Sequence, residues 1–102
     1  MIIYNISLKV SKAIENDWLQ WQQTEHITEV MASCLFTEYK FCKLLEQDDE
    51  DEATYIVQYF ASSFENYKQY ITHYAPQLRQ KIFDKWGDQL IAFRSVMEVI
   101  SQ

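Results

Sequence analysis

Four segments of the chain alternate between two sets of side chains with a period of two, which is the pattern of β-strands. In residues 2–10, large apolar side chains occupy the even positions and mixed side chains the odd ones. The other segments are 35–45, 53–60 and 89–100. In the last we assign the odd positions to the apolar face. A sheet of these strands has one apolar face and one mixed face, which must meet water, a ligand or a partner sheet.

The segment between the first two strands predicts a helix over residues 14–31, with Ser11 able to cap its start. Its apolar residues form two stripes on opposite sides of the helix rather than one. Two stripes indicate either a second contact surface or a bend near Glu25. One stripe comprises Leu19, Ile27, Val30 and Met31 together with Gln23, and the other Ile14, Trp18 and Trp21.

Two further helical segments lie between the third and fourth strands. Ser62 and Glu65 have the spacing of a capping box, which predicts a helix start. Pro76 suits the first turn of a second segment because its missing N–H would have no partner there, so the chain bends near Ala75. Gly87 suits the C-terminal end of that segment, where a left-handed backbone conformation is needed.

The predicted order is strand, helix, strand, strand, helix pair, strand. Two right-handed crossovers in this order give an α+β, ferredoxin-like βαββαβ sandwich. We expect one domain over residues 1–102, with a four-stranded antiparallel sheet in the order 4-1-3-2 and all helices on one face. The bare face then carries an exposed apolar patch that includes Leu90, Val96 and Tyr55 or Tyr59. Such patches mark interfaces, so we predict a homodimer through the sheet face.

The net charge of −6 is concentrated in one loop. Six of the fifteen acidic residues lie in the run 46–52, and the other nine match the nine Lys and Arg residues. The body of the protein is therefore electrically neutral, with no basic patch to bind nucleic acid or an anionic membrane. The run lacks the glycine and alternating spacing of a calcium loop, so we interpret it as a solvated hairpin tip.

The two cysteines cannot form a disulfide with each other. Cys34 and Cys42 would lie roughly 26 Å apart in an extended strand, whereas a disulfide needs Cα atoms within about 7 Å. Reduced thiols favour a cytoplasmic protein, and we expect Cys42 to be a small core residue. No apolar stretch is long enough to span a bilayer, and no signal peptide is evident.

No motif in the chain names a reaction. A single glycine, Gly87, excludes a glycine-rich phosphate loop. Glu25, His26 and Glu29 provide too few ligands for a closed metal site, so we expect no metal there and interpret the segment as solvent-facing. His73 is interpreted as a surface or partly buried histidine. No cofactor is implied.

Five stretches, spread over nearly the whole chain, carry a family resemblance: residues 1–5, 18–21, 26–30, 55–61 and 92–99. Together they resemble a family of short, uncharacterised bacterial proteins classed as a domain of unknown function. The family pattern often has Pro where this chain has Thr28. The resemblance implies a dimeric α+β barrel and no known activity.

At superfamily level the chain is similar to dimeric barrel proteins of the antibiotic-biosynthesis monooxygenase type and to haem-degrading enzymes. Those haem enzymes use an Asn on the first strand, and a Trp and a His on the helix after the third strand. Asn5 matches the first position, while Tyr67 stands roughly where Trp is expected and Gln77 where His is expected. His73 comes about one helical turn too early. Two of the three positions depart, so haem chemistry is not implied.

Five residues are the candidates for ligand binding. Positions 94 and 98 share one face of a strand, so Arg94 can pair with Glu98 or clamp a carboxylate. If the fourth strand pairs antiparallel with the first, Arg94 also comes within reach of Asn5. We predict that the candidates are Asn5, Gln58, Arg94 and Glu98, at or near the dimer seam, and Tyr67, on the helix after the third strand.

Two functional hypotheses follow. The first is a cytoplasmic homodimer with a binding or structural role, in which a small molecule is a further partner. The alternative is a small-molecule monooxygenase or isomerase that uses a cavity between sheet and helices near Asn5, Arg94 and Tyr67. The first hypothesis leads, because no set of residues meets the demands of one reaction.

Overall fold

The computed structural model describes residues 1–48 and 50–102, and within them four strands form one antiparallel sheet with helices on one face. The strand order is β2-β3-β1-β4, which is the predicted order read from the other edge. The ferredoxin-like fold is thereby confirmed. The strands are β1 (Ile2–Ser11), β2 (Glu38–Lys43), β3 (Glu52–Ala61) and β4 (Leu90–Glu98).

The predicted acidic loop joins β2 to β3, and Glu52, the last residue of the run, already belongs to β3. Asp49, also part of that run, lies outside the described residues.

One continuous helical segment follows β1. It consists of α1 (Glu15–Trp21), a π-helical turn (Gln22–His26) and α2 (Ile27–Met31). Ser11 does not cap this segment directly, because its hydroxyl instead accepts a hydrogen bond from the Ala13 N–H at 3.3 Å in the preceding turn. None of the described helices is long and apolar enough to cross a membrane.

The second helical region contains α3 (Phe64–His73) and α4 (Ala75–Trp86), followed by a 3-10 turn at Gly87–Gln89. The cap of α3 lies one residue later than predicted, since the Ser63 hydroxyl accepts a hydrogen bond from the Asn66 N–H at 3.1 Å. The chain bends at Tyr74, and Gly87 has the positive φ, 59°, expected at the end of α4.

The π-helical turn accounts for the two apolar stripes of the first helical segment. The Ile27 N–H donates to the Gln22 carbonyl, five residues back instead of four. Each residue of this wider turn rotates the chain less than an α-helical residue does. As a result Ile27 and Val30 are buried in the same core as Trp18 and Trp21, and the irregularity that accounts for the two stripes is a π turn that includes Glu25.

The central strand β1 determines which side chains face the helices. Its even-numbered residues, from Ile2 to Val10, are buried beneath the helices. Directly opposite residues of an antiparallel pair share a face, and Tyr4 and Leu8 lie opposite Tyr59 and Tyr55. Both tyrosines are therefore buried in the core, so their predicted place on the bare face is wrong.

The same register corrects the prediction for β4. Arg94 lies opposite Ile6 and Val96 opposite Tyr4, so the even-numbered residues of β4 face the helix side. The predicted assignment was reversed because both sets of residues in β4 contain large apolar side chains. Only the pairing with β1 distinguishes them.

The open face of the sheet is nevertheless rich in apolar side chains. Exposed on it are Ile91, Phe93 and Met97, and half-buried are Ile3, Ile56 and Phe60. Cys42 also lies on this face, opposite Ile56, and is exposed rather than in the core, because β2 is an edge strand. Both cysteines are free, as predicted.

An aromatic cluster fills the core between the sheet and α3. The Tyr70 ring packs edge-on against Phe36 with a centroid distance of 4.9 Å, and the Tyr4 ring lies 5.4 Å from Tyr67. Tyr59 lies beneath this cluster, 5.2 Å from Phe36. Aromatic pairs at these distances stabilise a core beyond the area they bury.

A second cluster lies under α1. Trp18 is fully buried, with Tyr55 and Phe41 at centroid distances of 5.1 and 5.8 Å. The Tyr55 hydroxyl donates a 2.6 Å hydrogen bond to Glu15, which lowers the pKa of that carboxyl below its usual range. The two clusters anchor the helices to the sheet at different points, and the helix side of β4 is less fully covered.

Candidate functional site

A cavity of about 200 Å³ lies between the sheet and the helices, beside β4. The helix side of β4 carries the small side chain of Ala92 here, which leaves room beneath α4. Apolar side chains make up about half of the wall: Ile6, Leu8, Val57, Leu78, Ile82, Phe83, Leu90 and Ala92. The polar part of the wall is formed by Tyr4, Gln22, His26, Tyr59, Tyr70, Arg79 and Arg94.

The π-helical turn brings two polar side chains to this cavity. Gln22 and His26 are its first and last residues, and both are buried. The His26 ring stacks on Trp21 with a centroid distance of 5.4 Å, and Trp21 packs edge-on against Trp86 at 5.8 Å. Within the described chain neither the Gln22 amide nor the His26 imidazole has a side-chain hydrogen-bonding partner.

Burial keeps His26 uncharged at neutral pH. The pKa of the imidazole is lowered from 6.5 to about 4, chiefly by loss of solvent and also by the positive charge of Arg94, while the Glu29 carboxylate opposes the shift. A neutral imidazole both donates and accepts a hydrogen bond. The predicted solvent-facing position of His26 is therefore wrong, since the π turn rotates it inward.

Tyr59 presents a buried hydroxyl without a partner. Three buried polar atoms of the described residues lack a hydrogen bond, namely Trp18 Nε1, Trp86 Nε1 and Tyr59 Oη. Of these three residues, Tyr59 is the one that lines the cavity. Burial raises the pKa of this phenol, so Tyr59 keeps its proton and can donate it in a hydrogen bond.

Two arginines supply positive charge at the cavity. The Arg79 guanidinium donates a 3.0 Å hydrogen bond to the Tyr4 hydroxyl. Burial lowers the pKa of His26 and raises that of Tyr70, and Arg94 lies near enough to both for its positive charge to act in the lowering direction on each. In the part of the chain that the structure describes, Arg94 makes no ion pair, and the predicted pairing with Glu98 does not occur.

The structure separates the sequence-predicted site residues onto two faces. Asn5 lies on the open face and accepts a 3.1 Å hydrogen bond from the Gln58 amide on the neighbouring strand. Arg94 lies on the helix side. The predicted approach of Arg94 to Asn5 is wrong, because Asn5 lies opposite Ser95 and adjacent residues of a strand point to opposite faces.

The remaining predicted residues lie outside the cavity wall. Tyr67 belongs to the aromatic cluster under α3, and Glu98 is exposed at the end of β4. His73 is exposed at the end of α3, in agreement with its prediction as a surface histidine. Among the described residues no three His, Cys, Asp or Glu side chains are placed to hold a metal ion, and Glu29 pairs with Lys81 at 2.7 Å.

Sequence reasoning missed Gln22, His26 and Tyr59. The two opposed stripes of the first helical segment were the available signal for the first two. A wide turn is needed to bring both stripes to one core, and π turns occur frequently at functional sites. No such signal marks Tyr59, because it repeats with Tyr55 and Val57 at every second position, as any core residue of a strand does.

Residues 1–100 match the sequence family described as a domain of unknown function (DUF4286). The chain belongs to this family. No curated protein sequence matches it.

Several solved structures have a fold similar to that of this chain. An ethyl tert-butyl ether d (EthD) family protein from Bacillus halodurans has a TM-score of 0.73 at 12% identity, covering 98% of this chain and 100% of that one. A dimeric ferredoxin-like protein from an uncultured marine organism has a TM-score of 0.70 at 14% identity, covering 100% and 97%. A variant of SnoaB, a cofactor-independent oxygenase from Streptomyces nogalater, has a TM-score of 0.69 at 5% identity, covering 99% and 95%. At these identities the likeness establishes the fold alone.

The buried state of His26 predicts a dependence of stability on pH. As the pH decreases from 7 to 5, the unfolded chain binds a proton at His26 and the folded chain does not. The free energy of unfolding therefore decreases as the pH decreases. The fall due to this group is about 2 kcal/mol. His26→Gln lacks this contribution and should lose about 2 kcal/mol less than the wild type in urea unfolding at fixed protein concentration.

His73→Gln is the matched control for this measurement, because His73 is exposed. Its unfolding should follow the wild-type pH dependence throughout. An identical pH dependence for all three proteins would contradict the buried, neutral state of His26.

Proposed function

We propose that this protein is a homodimer that binds a small organic molecule in the cavity between its sheet and its helices. The observation that carries the proposal is the buried, unpartnered hydroxyl of Tyr59, a residue that lines the cavity together with Gln22 and His26. A buried polar group without a hydrogen bond destabilises the folded state by about 1–3 kcal/mol. A ligand that bonds to these groups removes that cost.

The dimensions of the cavity support a small ligand. Its volume of about 200 Å³ lies below the range of about 300–1,000 Å³ found for drug-sized ligands. An apolar wall with a few converging polar groups is the usual construction of a ligand site. Arg94, predicted from the sequence as a ligand contact, keeps that role in the proposal because it lies at this wall.

The open face of the sheet supports the homodimer. It carries six apolar side chains, three of them exposed, and water is a poor partner for such a surface. The pair Asn5 and Gln58 lies in the middle of the face, and one hydrogen bond joins their two amides. A second copy packed about a two-fold axis would cover the same patch on both chains.

The fold of the neighbours also favours this assembly, since the protein from an uncultured marine organism is described as a dimeric ferredoxin-like protein. We place Asn5 and Gln58 at the proposed seam between protomers.

The free cysteines, Cys34 and Cys42, agree with a cytoplasmic location, where thiols stay reduced.

A monooxygenase or isomerase activity is the second candidate function. It is favoured by the neutral imidazole of His26, which can accept and return a proton within the cavity. The neighbour SnoaB is a cofactor-independent oxygenase. Proton transfer to and from a bound organic molecule is the first step that both reaction types would share.

Phe93→Glu should convert the homodimer to a monomer. Phe93 is 59% exposed on the open face, and a charge there would be buried without a partner in the dimer. Light scattering coupled to size-exclusion chromatography at micromolar concentration should give twice the chain mass for the wild type and the single mass for the variant.

Phe64→Glu is the matched control, because Phe64 is 52% exposed but lies on α3, in the helical layer. It should remain a dimer. A wild-type monomer, or a Phe93→Glu dimer of unchanged stability, would rule out the sheet-face assembly.

Native mass spectrometry should detect a small molecule retained by the purified wild-type protein, at up to one per protomer. Ala92→Phe should retain none, because the larger side chain fills the cavity. Ala32→Phe serves as the control, since Ala32 is exposed beyond α2 and outside the cavity. A wild-type protein that stays empty, even after incubation with a small-molecule extract of its host cells, would exclude the binding function.

The second candidate predicts exchange of a carbon-bound proton. The retained molecule, returned to wild-type protein in D₂O, should gain deuterium, as measured by mass spectrometry. His26→Gln should bind the molecule but slow the exchange at least ten-fold. If the molecule binds but gains no deuterium with the wild type, the function is binding without acid–base chemistry.

A further inference from the structure

The charge around the cavity differs from that of the rest of the molecule. The chain carries a net charge of −6, yet the described residues of the cavity wall include Arg79 and Arg94 and no Asp or Glu. Glu29, whose negative charge acts to raise the pKa of His26, forms an ion pair with Lys81 on α4. His26 is neutral, so the cavity has an excess of positive charge. Such a site attracts an anion.

Arg94 is the better placed of the two arginines to meet that anion. The Arg79 guanidinium is already held by the Tyr4 hydroxyl at 3.0 Å. Arg94 makes no ion pair within the described chain, and its guanidinium presents a planar fork of donors that matches a carboxylate. Its side chain is exposed at the mouth of the cavity, where an anion can enter without complete loss of water.

At the far side of the cavity, near Tyr59, a different group is needed on the ligand. Tyr59 on β3 and Arg94 on β4 are separated by β1. On β1, Tyr4 lies opposite Tyr59, and Ile6, two residues along the strand, lies opposite Arg94. Strand geometry puts the two Cα atoms roughly 12 Å apart. The Tyr59 hydroxyl is a proton donor without an acceptor. A ligand that fits this end therefore carries an oxygen that accepts a hydrogen bond.

The wall between these two ends is apolar and aromatic. Ile6 and Leu8 form its floor, and the Tyr70 ring and Leu78 lie on the helix side. A flat hydrocarbon body packs against such surfaces, and about 200 Å³ holds a single ring.

We propose that the cavity accepts a small organic anion with a flat apolar body, whose charged group meets Arg94 and whose opposite end offers an oxygen acceptor to Tyr59. This inference rests on the proposed binding function and names its ligand class. It adds that recognition is divided between the two ends of the ligand.

Three probes test the proposal on the full-length protein. The probes are 4-hydroxybenzoate, benzoate, which lacks the distal oxygen, and 4-hydroxybenzyl alcohol, which lacks the charge. In titrations followed by NMR, 4-hydroxybenzoate should bind at least ten-fold more tightly than the alcohol. Arg94→Gln should remove that preference while leaving the affinity for the alcohol within two-fold. Lys68→Gln, which removes an exposed cation on α3 away from the cavity, should leave it unchanged.

Tyr59→Phe tests the other end. The variant should bind 4-hydroxybenzoate at least three-fold more weakly than the wild type but bind benzoate equally well. Its melting temperature without ligand should equal or exceed that of the wild type, because the lost hydroxyl has no partner among the residues that the structure describes. A fall in melting temperature together with equal loss of both probes would assign Tyr59 a purely structural role.

The outcomes separate this inference from the binding function itself. If the alcohol binds in the cavity as tightly as the anion, or if the molecule retained by the purified protein is neutral or cationic, the ligand class is wrong and the binding function stands. If none of the three probes shifts the resonances of cavity residues and the purified protein is empty, the ligand class and the binding function fail together.

Discussion

The pairing of β1 with both of its neighbours is the constraint on which the rest of the structure depends. β1 is central, and its register fixes which side chains of β3 and β4 point toward the helices. A shift of one residue would exchange the two faces of a strand completely. Arg94 would then leave the cavity and Phe93 would enter the core. The cavity and the open apolar face are thus two results of one register.

The helices cover only one face of the sheet, and the way they cover it determines where the cavity lies. The helices cover β1 and β3 through aromatic clusters but leave the helix side of β4 partly open, so a cavity forms there. The π turn then supplies polar groups to this cavity from the opposite wall. An ordinary α-helix over residues 15–31 would direct Gln22 and His26 differently, because each π-helical residue turns the chain through a smaller angle.

Much of the fold could be predicted from local pattern. The alternation in β1 reflects its one buried face. Pro76 in the first turn of α4 and Gly87 at its end each meet a backbone requirement that their residue type satisfies best. β4 could not be oriented from its own sequence, because Leu90 and Val96 are as apolar as Ile91 and Met97. Its orientation is a long-range property of pairing with β1. Cys42 was misplaced for a similar reason, since its sequence does not reveal that β2 is an edge strand.

The candidate site was less accessible from sequence than the fold. Arg94 could be selected as a candidate because a charged residue in an apolar strand needs an explanation. Tyr59 and His26 become distinctive only when burial and the absence of a partner are known, and both depend on elements distant in the chain. Asn5 and Gln58 were selected only as separate ligand contacts, because the hydrogen bond between their amides depends on the pairing of β1 with β3.

The unpartnered hydroxyl of Tyr59 also bears on how this protein would respond to selection for heat resistance. Two changes would strengthen the empty protein at once: Phe at position 59, which removes a buried donor, and a larger side chain at position 92, which fills space. Selection for stability alone would readily reach both. A chain that keeps Tyr59 above an unfilled cavity therefore carries a thermal weakness that its fold does not require.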